Sequence, residues 1–500
     1  MDKETVTLIA TFASLGIGAT GLVAAWFWRR SREPGPPTPG RGSVMAGRDQ
    51  TISGTVVTGE RVGPVIVAHP GASVVYLDGL PQAKAEVRHH FEEGQRLYDS
   101  EQHQAAISEF EKAFAEAEND SQRCALHMYI GNSFLGLSGM AQAEGHFRQA
   151  FDAGQRARDR RGQAVALGNL GVVYVHTGEP DKAEEHFKKA LDIHEEMEDR
   201  LGRADALGNL GLVYANKGEF DRAEEHYKRA LAIHEDIGDL VGQANDLGNL
   251  GHIYRRKGEL DRAEDEQNKA LEIYRRAGSR LGQANALDSL GNICGEKGEW
   301  DKAEVHFKRA LEIHEEIGNR LGQAHDLGNL GLSYAQRGEL GEAEGYLKRA
   351  LQINEQIDNL VGQANDLGNL GLIYGTKGYL DKAEEHHKKA LEIDERLGNR
   401  VGQAQDIGNL GIVYRCRGDL DKAEEHHKKA LKIHEEVGNR MGQSIHLANL
   451  GLLQSLRGNN GEALHQLSKA RRILAEVGAS AKVKEMDQLI KSIEKRSTSH

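Results

Sequence analysis

Side chains able to bond a ligand recur in this 500-residue chain at a fixed interval rather than in one cluster. Asn169, Asn209, Asn249, Asn329, Asn369, Asn409 and Asn449 keep a register of forty residues, with Ser289 interrupting the series and Tyr129 preceding it. An amide carries a donor and an acceptor together, which suits the alternating N–H and C=O groups of an extended peptide. It equally suits a bond to a neighbouring helix that sets how repeats stack. Three residues beyond each step stand Val172, Leu212, His252, Asn292, Leu332, Leu372, Ile412 and Leu452. The middle of this row is polar, and Arg255 and Arg256 add positive charge there. Arg200, Arg280, Arg320, Arg400 and Arg440 could pair with a carboxylate-bearing segment, or stand solvated near helix ends.

Other chemistries find less support. The chain holds 23 histidines, among them His226 and His234, with His186 and His194, His306 and His314, and His426 and His434 in the same register. Each pair is eight residues apart, about 12 Å along a helix, too far for one ion. The adjacent His386–His387 and His426–His427 point apart on a helix. Solvated outer-face histidines are expected, titrating together near pH 6, and no metal site. Phosphate-cradling glycine loops, a nucleophile elbow and the HExxH zinc motif are missing from the sequence. Cys124, Cys294 and Cys416 are too few and too distant for a disulfide framework. The expectation is a non-enzyme with no cofactor and no small-molecule substrate. A net charge of −12 disfavours nucleic acid, which needs concentrated Lys and Arg.

What must position these residues is a repeat. Gly171, Gly211, Gly251, Gly291, Gly331, Gly371, Gly411 and Gly451 hold the same register of forty, and Gly131 and Gly94 extend it backward. Alanines such as Ala183, Ala223 and Ala263 follow twelve residues later, and Ala190, Ala230 and Ala270 seven beyond those. Seven of the eight prolines lie at or before Pro81, whereas glycine numbers 59, so helices joined by glycine turns are expected downstream. In residues 201–239, Leu207, Leu210, Gly211 and Tyr214 mark one amphipathic helix, and Gly218 ends it. Asp221 is expected to cap a second helix with Glu224 in a capping box, as at Asp181/Glu184, Asp261/Glu264, Asp301/Glu304, Asp381/Glu384 and Asp421/Glu424. Its apolar face is Ala223, Tyr227, Ala230 and Leu231. Asp239, or its counterparts Asp199, Ser279, Asn319, Asn399 and Asn439, is placed to cap the next first helix.

The spacing L-x2-L-G-x2-Y, followed by Ala-x3-Tyr/Phe-x2-Ala, resembles the tetratricopeptide repeat over residues 87–470. The period exceeds the usual ~34 residues and the helix-ending proline is missing. Both departures resemble the long-helix variant of kinesin light chain and Pins-type adaptors, although no heptad coiled coil precedes the array. The resemblance implies an all-α chain: a right-handed α-solenoid of about ten helix pairs across 87–479, closed by a capping helix at 480–496. It implies a concave peptide-binding groove lined by the seven asparagines with Leu212, Leu332, Leu372, Ile412, Arg255 and Arg256.

The N-terminal eighty residues have another texture. After residues 1–4, residues 5–28 run uncharged for 24 positions, end on Trp26 and Trp28, and meet Arg29, Arg30 and Arg32. That length and flank predict a transmembrane helix with the downstream side cytoplasmic; a secretory signal is the alternative. Ala10, Ser14 and Gly18 make a small-residue stripe able to pair such helices. Residues 29–42 are a basic, proline-rich linker. Residues 43–80 alternate β-branched runs with glycines, predicting short strands that self-associate or a flexible linker. The whole predicts a single-pass scaffold, at a bacterial inner membrane, recruiting protein partners. The alternative is a platform that homo-oligomerises through 43–80 and the membrane helix.

Overall fold

The computed structural model describes residues 84–497, apart from 101 and 138. The expected membrane helix at 5–28, the linker at 29–42 and the β-prone segment at 43–80 lie outside the described residues. Within them are twenty-one α-helices and no strand. No described helix is long and apolar enough to cross a membrane.

Contacts divide the chain into two compact units whose boundary falls inside one helix. In the first unit, α1 (Ala85–Asp99) pairs with α2 (His103–Ala115), and α3 (Asp120–Gly136) with α4 (Met140–Ala157). The pairs continue as α5 (Arg160–His176) with α6 (Pro180–Glu196), α7 (Arg200–Asn216) with α8 (Phe220–Ile237), and α9 (Leu240–Arg256) with α10 (Leu260–Arg276). The boundary helix is α11 (Arg280–Glu296), and α12 (Trp300–Glu316) follows. In the second unit α13 (Arg320–Gln336) packs on α14 (Leu340–Gln356), and α15 (Leu360–Lys377) on α16 (Leu380–Leu397). Last come α17 (Arg400–Arg417) with α18 (Leu420–Glu436), α19 (Arg440–Leu456) with α20 (Asn460–Glu476), and a closing α21 (Ser480–Ser497). This is an α-solenoid of helix pairs, and within each unit successive pairs also pack on one another.

Local chemistry sets the ends. Side-chain oxygens of Asp199, Asn319, Asn399 and Asn439 accept from the backbone N–H of Gly202, Gly322, Gly402 and Gly442 at 2.9–3.2 Å, and Ser279 does the same for Gly282 at 3.3 Å. Asp239 accepts from Val241 at 3.1 Å. At the other end Gly218 takes φ +77°, and the N–H groups of Gly218 and Glu219 close onto the carbonyls of Ala215 and Tyr214. That left-handed residue is inexpensive only for glycine.

The expected capping boxes do not form. The N-cap of α8 is Glu219, without a side-chain cap bond, and Asp221 lies within the first turn. Glu224 is taken by other partners: its carboxylate accepts from Tyr254 Oη at 3.0 Å and from Lys257 Nζ at 2.7 Å, one repeat later. Glu184 is held the same way by Tyr214 and Lys217, and Glu344 by Tyr374 and Lys377. Partial burial pushes the Glu224 carboxyl up, but Lys228, Lys257 and Tyr254 overcome it and hold the group at about 2. These glutamates therefore join successive repeats instead of ending a helix.

The cores are apolar. Near the start, Phe91, Phe110 and Tyr129 gather with Ile107, Leu126 and Ile130, and the Phe91 and Tyr129 rings meet edge-on at 5.0 Å. In the second unit Leu327, Leu330, Tyr334, Leu347, Leu370, Ile373 and Tyr374 fill the centre. Met486, Leu489 and Ile493 of α21 cover Leu467 and Leu474, burying the face that the last pair would otherwise expose.

Glycine spacing makes a sharp test. A Cβ on Gly171 would stand 2.6 Å from Phe187 Cε1, whereas one on Gly168 meets nothing within 4 Å. Gly171→Ala is expected to lower unfolding free energy by about 1–3 kcal/mol through overpacking. Gly168→Ala should raise it by about 0.5–1 kcal/mol through the lost flexibility of the unfolded chain. Urea unfolding of both variants reads the contrast, and equal effects would refute the close approach.

Candidate protein-binding face

The asparagine row lies deeper than a free groove lining. Asn169, Asn249, Asn329, Asn369 and Asn449 are only 2–8% exposed. Asn169 Nδ2 donates to Asn132 Oδ1 at 3.4 Å, and Asn329 Nδ2 donates to Asp288 Oδ1 at 2.8 Å, each one repeat back. Asn449 Nδ2 donates to the Ile445 carbonyl at 3.1 Å within its own helix. The Asn369 amide nitrogen is buried without a hydrogen-bond partner among the described residues. Asn209 and Asn409 are half-buried. At Asn169 and Asn329 the row thus bonds successive first helices, and at Asn209 and Asn409 it is partly exposed.

Of the apolar positions, Leu212 and Ile412 are buried and Leu332 and Leu372 half-buried. Asn409, Ile412, Leu372, Gly375 and Cys416 share a small crevice with His387. Arg255 is half-buried, while Arg256 is exposed and lies over the Phe220 ring at 5.1 Å.

A first helix is covered on most sides, and one stripe stays open. On α9 it runs Val241, Asn245, Gly248, His252 and Arg255, spaced so as to share one face. Four residues before each step of the row, the open position holds Val165, Asp205 and Asn245, then Asn285, and in the second unit His325, Asn365, Gln405 and Ile445; Asn285 is exposed and the others are half-buried. This second polar row was absent from the sequence reading, although its register of forty was available. Gly168, Gly208, Gly248, Gly328, Gly368 and Gly408 flank it with no side chain.

The histidines split instead of lining an outer face. His226 and His386 lean on Tyr214 and Tyr374 at 4.8 Å. His194, His234, His314, His387, His427 and His434 are buried. Eight residues on a helix rotate by about 80°, enough to turn His234 into the next first helix, where it fills the space beside Gly242. It meets a carboxylate there: His234 Nδ1 lies 2.7 Å from Asp246 Oδ2, and His314 Nδ1 2.6 Å from Asp326 Oδ2. The Asn354 amide takes that place on Asp366 at 2.8 Å. Common titration near pH 6 does not follow. Burial drives His387 and His446 down to about 3 and His434 to about 4. Burial raises the Asp366 carboxyl to about 7 against the pull of Asn354. Cys124 is pushed up to about 12, also by burial, so it lacks the thiolate a nucleophile needs.

Comparison with known proteins accords with this geometry. The tetratricopeptide repeat profile matches eight overlapping windows from 121–196 through 400–476. The chain belongs to the tetratricopeptide repeat family, and with it to the protein-interaction scaffolds that such arrays build. No curated protein matches it in sequence. Among solved structures it is similar to a signal transduction ATPase with numerous domains carrying a tetratricopeptide repeat sensor, from Pyrococcus horikoshii. That likeness has 17% identity and a TM-score of 0.51, over 75% of this chain and 56% of that one. BtubC (BKLC) from P. vanneervenii is 26% identical over 44% of this chain and 90% of its own, with a TM-score of 0.39. The ATPase likeness speaks to the fold alone.

Asp366 supplies a pH test. Between about pH 4 and 7 the folded chain keeps its proton while the unfolded chain has lost it. Unfolding then releases a proton, so this group lowers stability as pH rises through that window. Asp366→Asn should raise stability by about 1–3 kcal/mol more at pH 8 than at pH 5. Parallel curves of Tm against pH for the two chains would refute the assignment.

Proposed function

We propose that the array binds extended peptide segments of partner proteins along the open stripe of its first helices, and that residues 5–28 hold it at a membrane. One observation carries the first part: a polar side chain, mostly an amide, stands partly exposed at successive steps from Asp205 to Gln405, all but one of them followed three residues later by a glycine. Amides of this kind pair with a peptide's N–H and C=O groups irrespective of sequence. The row Asn169 to Asn449 acts behind it, fixing the spacing between first helices, with Asn209 and Asn409 reaching the ligand. Leu332 and Leu372 supply apolar contact, and Arg255 and Arg256 draw acidic residues toward the middle repeats. The 24-residue uncharged run and its following arginines support the anchor.

Peptide display against the full chain would supply ligands, and the triple variant Asn285→Ala/Asn365→Ala/Gln405→Ala would test the stripe. Affinity is expected to fall at least tenfold, about 1.4 kcal/mol or more, with the helical circular dichroism retained. Unchanged affinity in a folded variant would place the ligand elsewhere. Deleting residues 5–28 should move the chain from the membrane to the soluble fraction on ultracentrifugation. Retention in the membrane fraction would dismiss the anchor.

A further inference from the structure

One repeat departs from the others at two positions that meet. Where Gly168, Gly208, Gly248, Gly328, Gly368 and Gly408 recur, α11 carries Asp288. Where the neighbouring repeats carry Asn285 and Asn365, α13 carries His325. His325 Nδ1 stands 3.4 Å from Asp288 Oδ1, and Asp326 follows His325 in sequence. One ligand atom from each of Asp288, His325 and Asp326 lies within 4.8 Å of the others.

We propose that these three side chains form a site for a divalent transition-metal ion, Zn²⁺ by its donor set. A charge-assisted N–H···O bond closes to about 2.7–2.9 Å, and the His325–Asp288 separation is longer. It matches instead the edge of a tetrahedron with bonds of about 2.0–2.1 Å, which is ~3.4 Å. The remaining distances close with side-chain shifts of about an ångström, small beside the reach of a carboxylate rotation. Two carboxylates neutralise a dication and imidazole supplies the borderline nitrogen donor that Zn²⁺ prefers over Mg²⁺ or Ca²⁺.

The surroundings are those of a supported site. Asn329 Nδ2 donates to Asp288 Oδ1 at 2.8 Å and Asn292 Nδ2 to Oδ2 at 3.2 Å, orienting that carboxylate while leaving lone pairs on both oxygens. His314 Nδ1 lies 2.6 Å from Asp326 Oδ2. The other oxygen, Asp326 Oδ1, is left without a partner on a residue that is 0% exposed. An unpaired buried carboxylate oxygen is costly, and a cation relieves it. The side chains of His325 and Asp288 are 28% and 16% exposed, which gives an ion a way in and leaves a fourth position toward solvent.

The full chain, stripped with EDTA, would be titrated with Zn²⁺ by calorimetry beside Asp288→Gly and His325→Asn. Both substitutions restore residues that other repeats carry, so the packing of the array is kept. The unmutated chain should bind one Zn²⁺ more than either variant, or the same number with one site at least tenfold tighter. Co²⁺ should give it the intense visible absorption of a four-coordinate ion, lost in both variants. Zn²⁺ should also shield His325 from diethyl pyrocarbonate in the unmutated chain, a readout needing no variant. Equal Zn²⁺ binding by all three chains, or His325 modified at the same rate with and without Zn²⁺, would overturn the proposal.

Discussion

At the centre of a repeat an aromatic ring occupies the place of a missing Cβ. A β-carbon on Gly94, Gly131, Gly171, Gly211 or Gly291 would stand 2.6–2.8 Å from Phe110, Phe147, Phe187, Tyr227 or Phe307, sixteen residues later. The two helices of a pair approach through this contact, and the rest of the repeat follows from it. The second helix brings Ala183 and Ala190, or Ala223 and Ala230, against the first with almost no side chain between. The first helix is thereby covered by its partner and by its neighbours, and its polar residues must pair or face the open stripe.

Replacing the ring shows how far the constraint reaches. Gln267 stands where a ring would in its repeat, and its amide finds the Gly248 carbonyl at 2.9 Å. His387 and His427 replace the ring later, and their Nδ1 atoms turn to Asp406 at 3.2 Å and His446 at 3.4 Å, on the following first helix. Where an apolar ring only fills space, a polar substitute needs a partner, which Gln267 finds on the first helix of its own pair and the two histidines find in the next repeat. Buried Asp246, Asp326, Asp366 and Asp406 belong to this seam, whereas Ala166, Ala206 and Ala286 fill the same position without charge.

The periodic part of this arrangement was legible in the sequence because its causes are local. Asp199 and Asn319 cap helices three residues away, and Gly218 turns the chain at its own position. Misreadings arose where the deciding partner lies on another helix. Glu224 fits a capping box by spacing, yet Tyr254 and Lys257 claim it. His234 reads as exposed on an isolated helix, and only the glycine of the following helix makes the room that buries it. For the site, the register picked out Asn249 and its kin but could not rank them against Asn245, one turn earlier. Which of two polar rows is buried depends on the angle at which the first helices stack, and no single repeat encodes that angle.

In an array of this regularity, position alone accounts for most residues, since whatever recurs at each step serves the stacking common to all steps. A side chain that occurs once needs a local cause. Asp288 sets a carboxylate into a place that glycine keeps clear elsewhere, 38 residues before the buried Asp326. Gly208, Gly328 and Gly368 keep that same place beside Asp246, Asp366 and Asp406, where a β-carbon would come within 3.6–3.7 Å of the carboxylate oxygen. A second negative charge there is unfavourable by itself, because two close carboxylates in a poorly hydrated setting cannot both ionise without a counter-charge. His325 faces that pair from the only first helix that carries a histidine at that step. Two unfavourable departures that offset each other only together are bound by a shared requirement. The smallest change meeting it is positive charge held between Asp288 and Asp326.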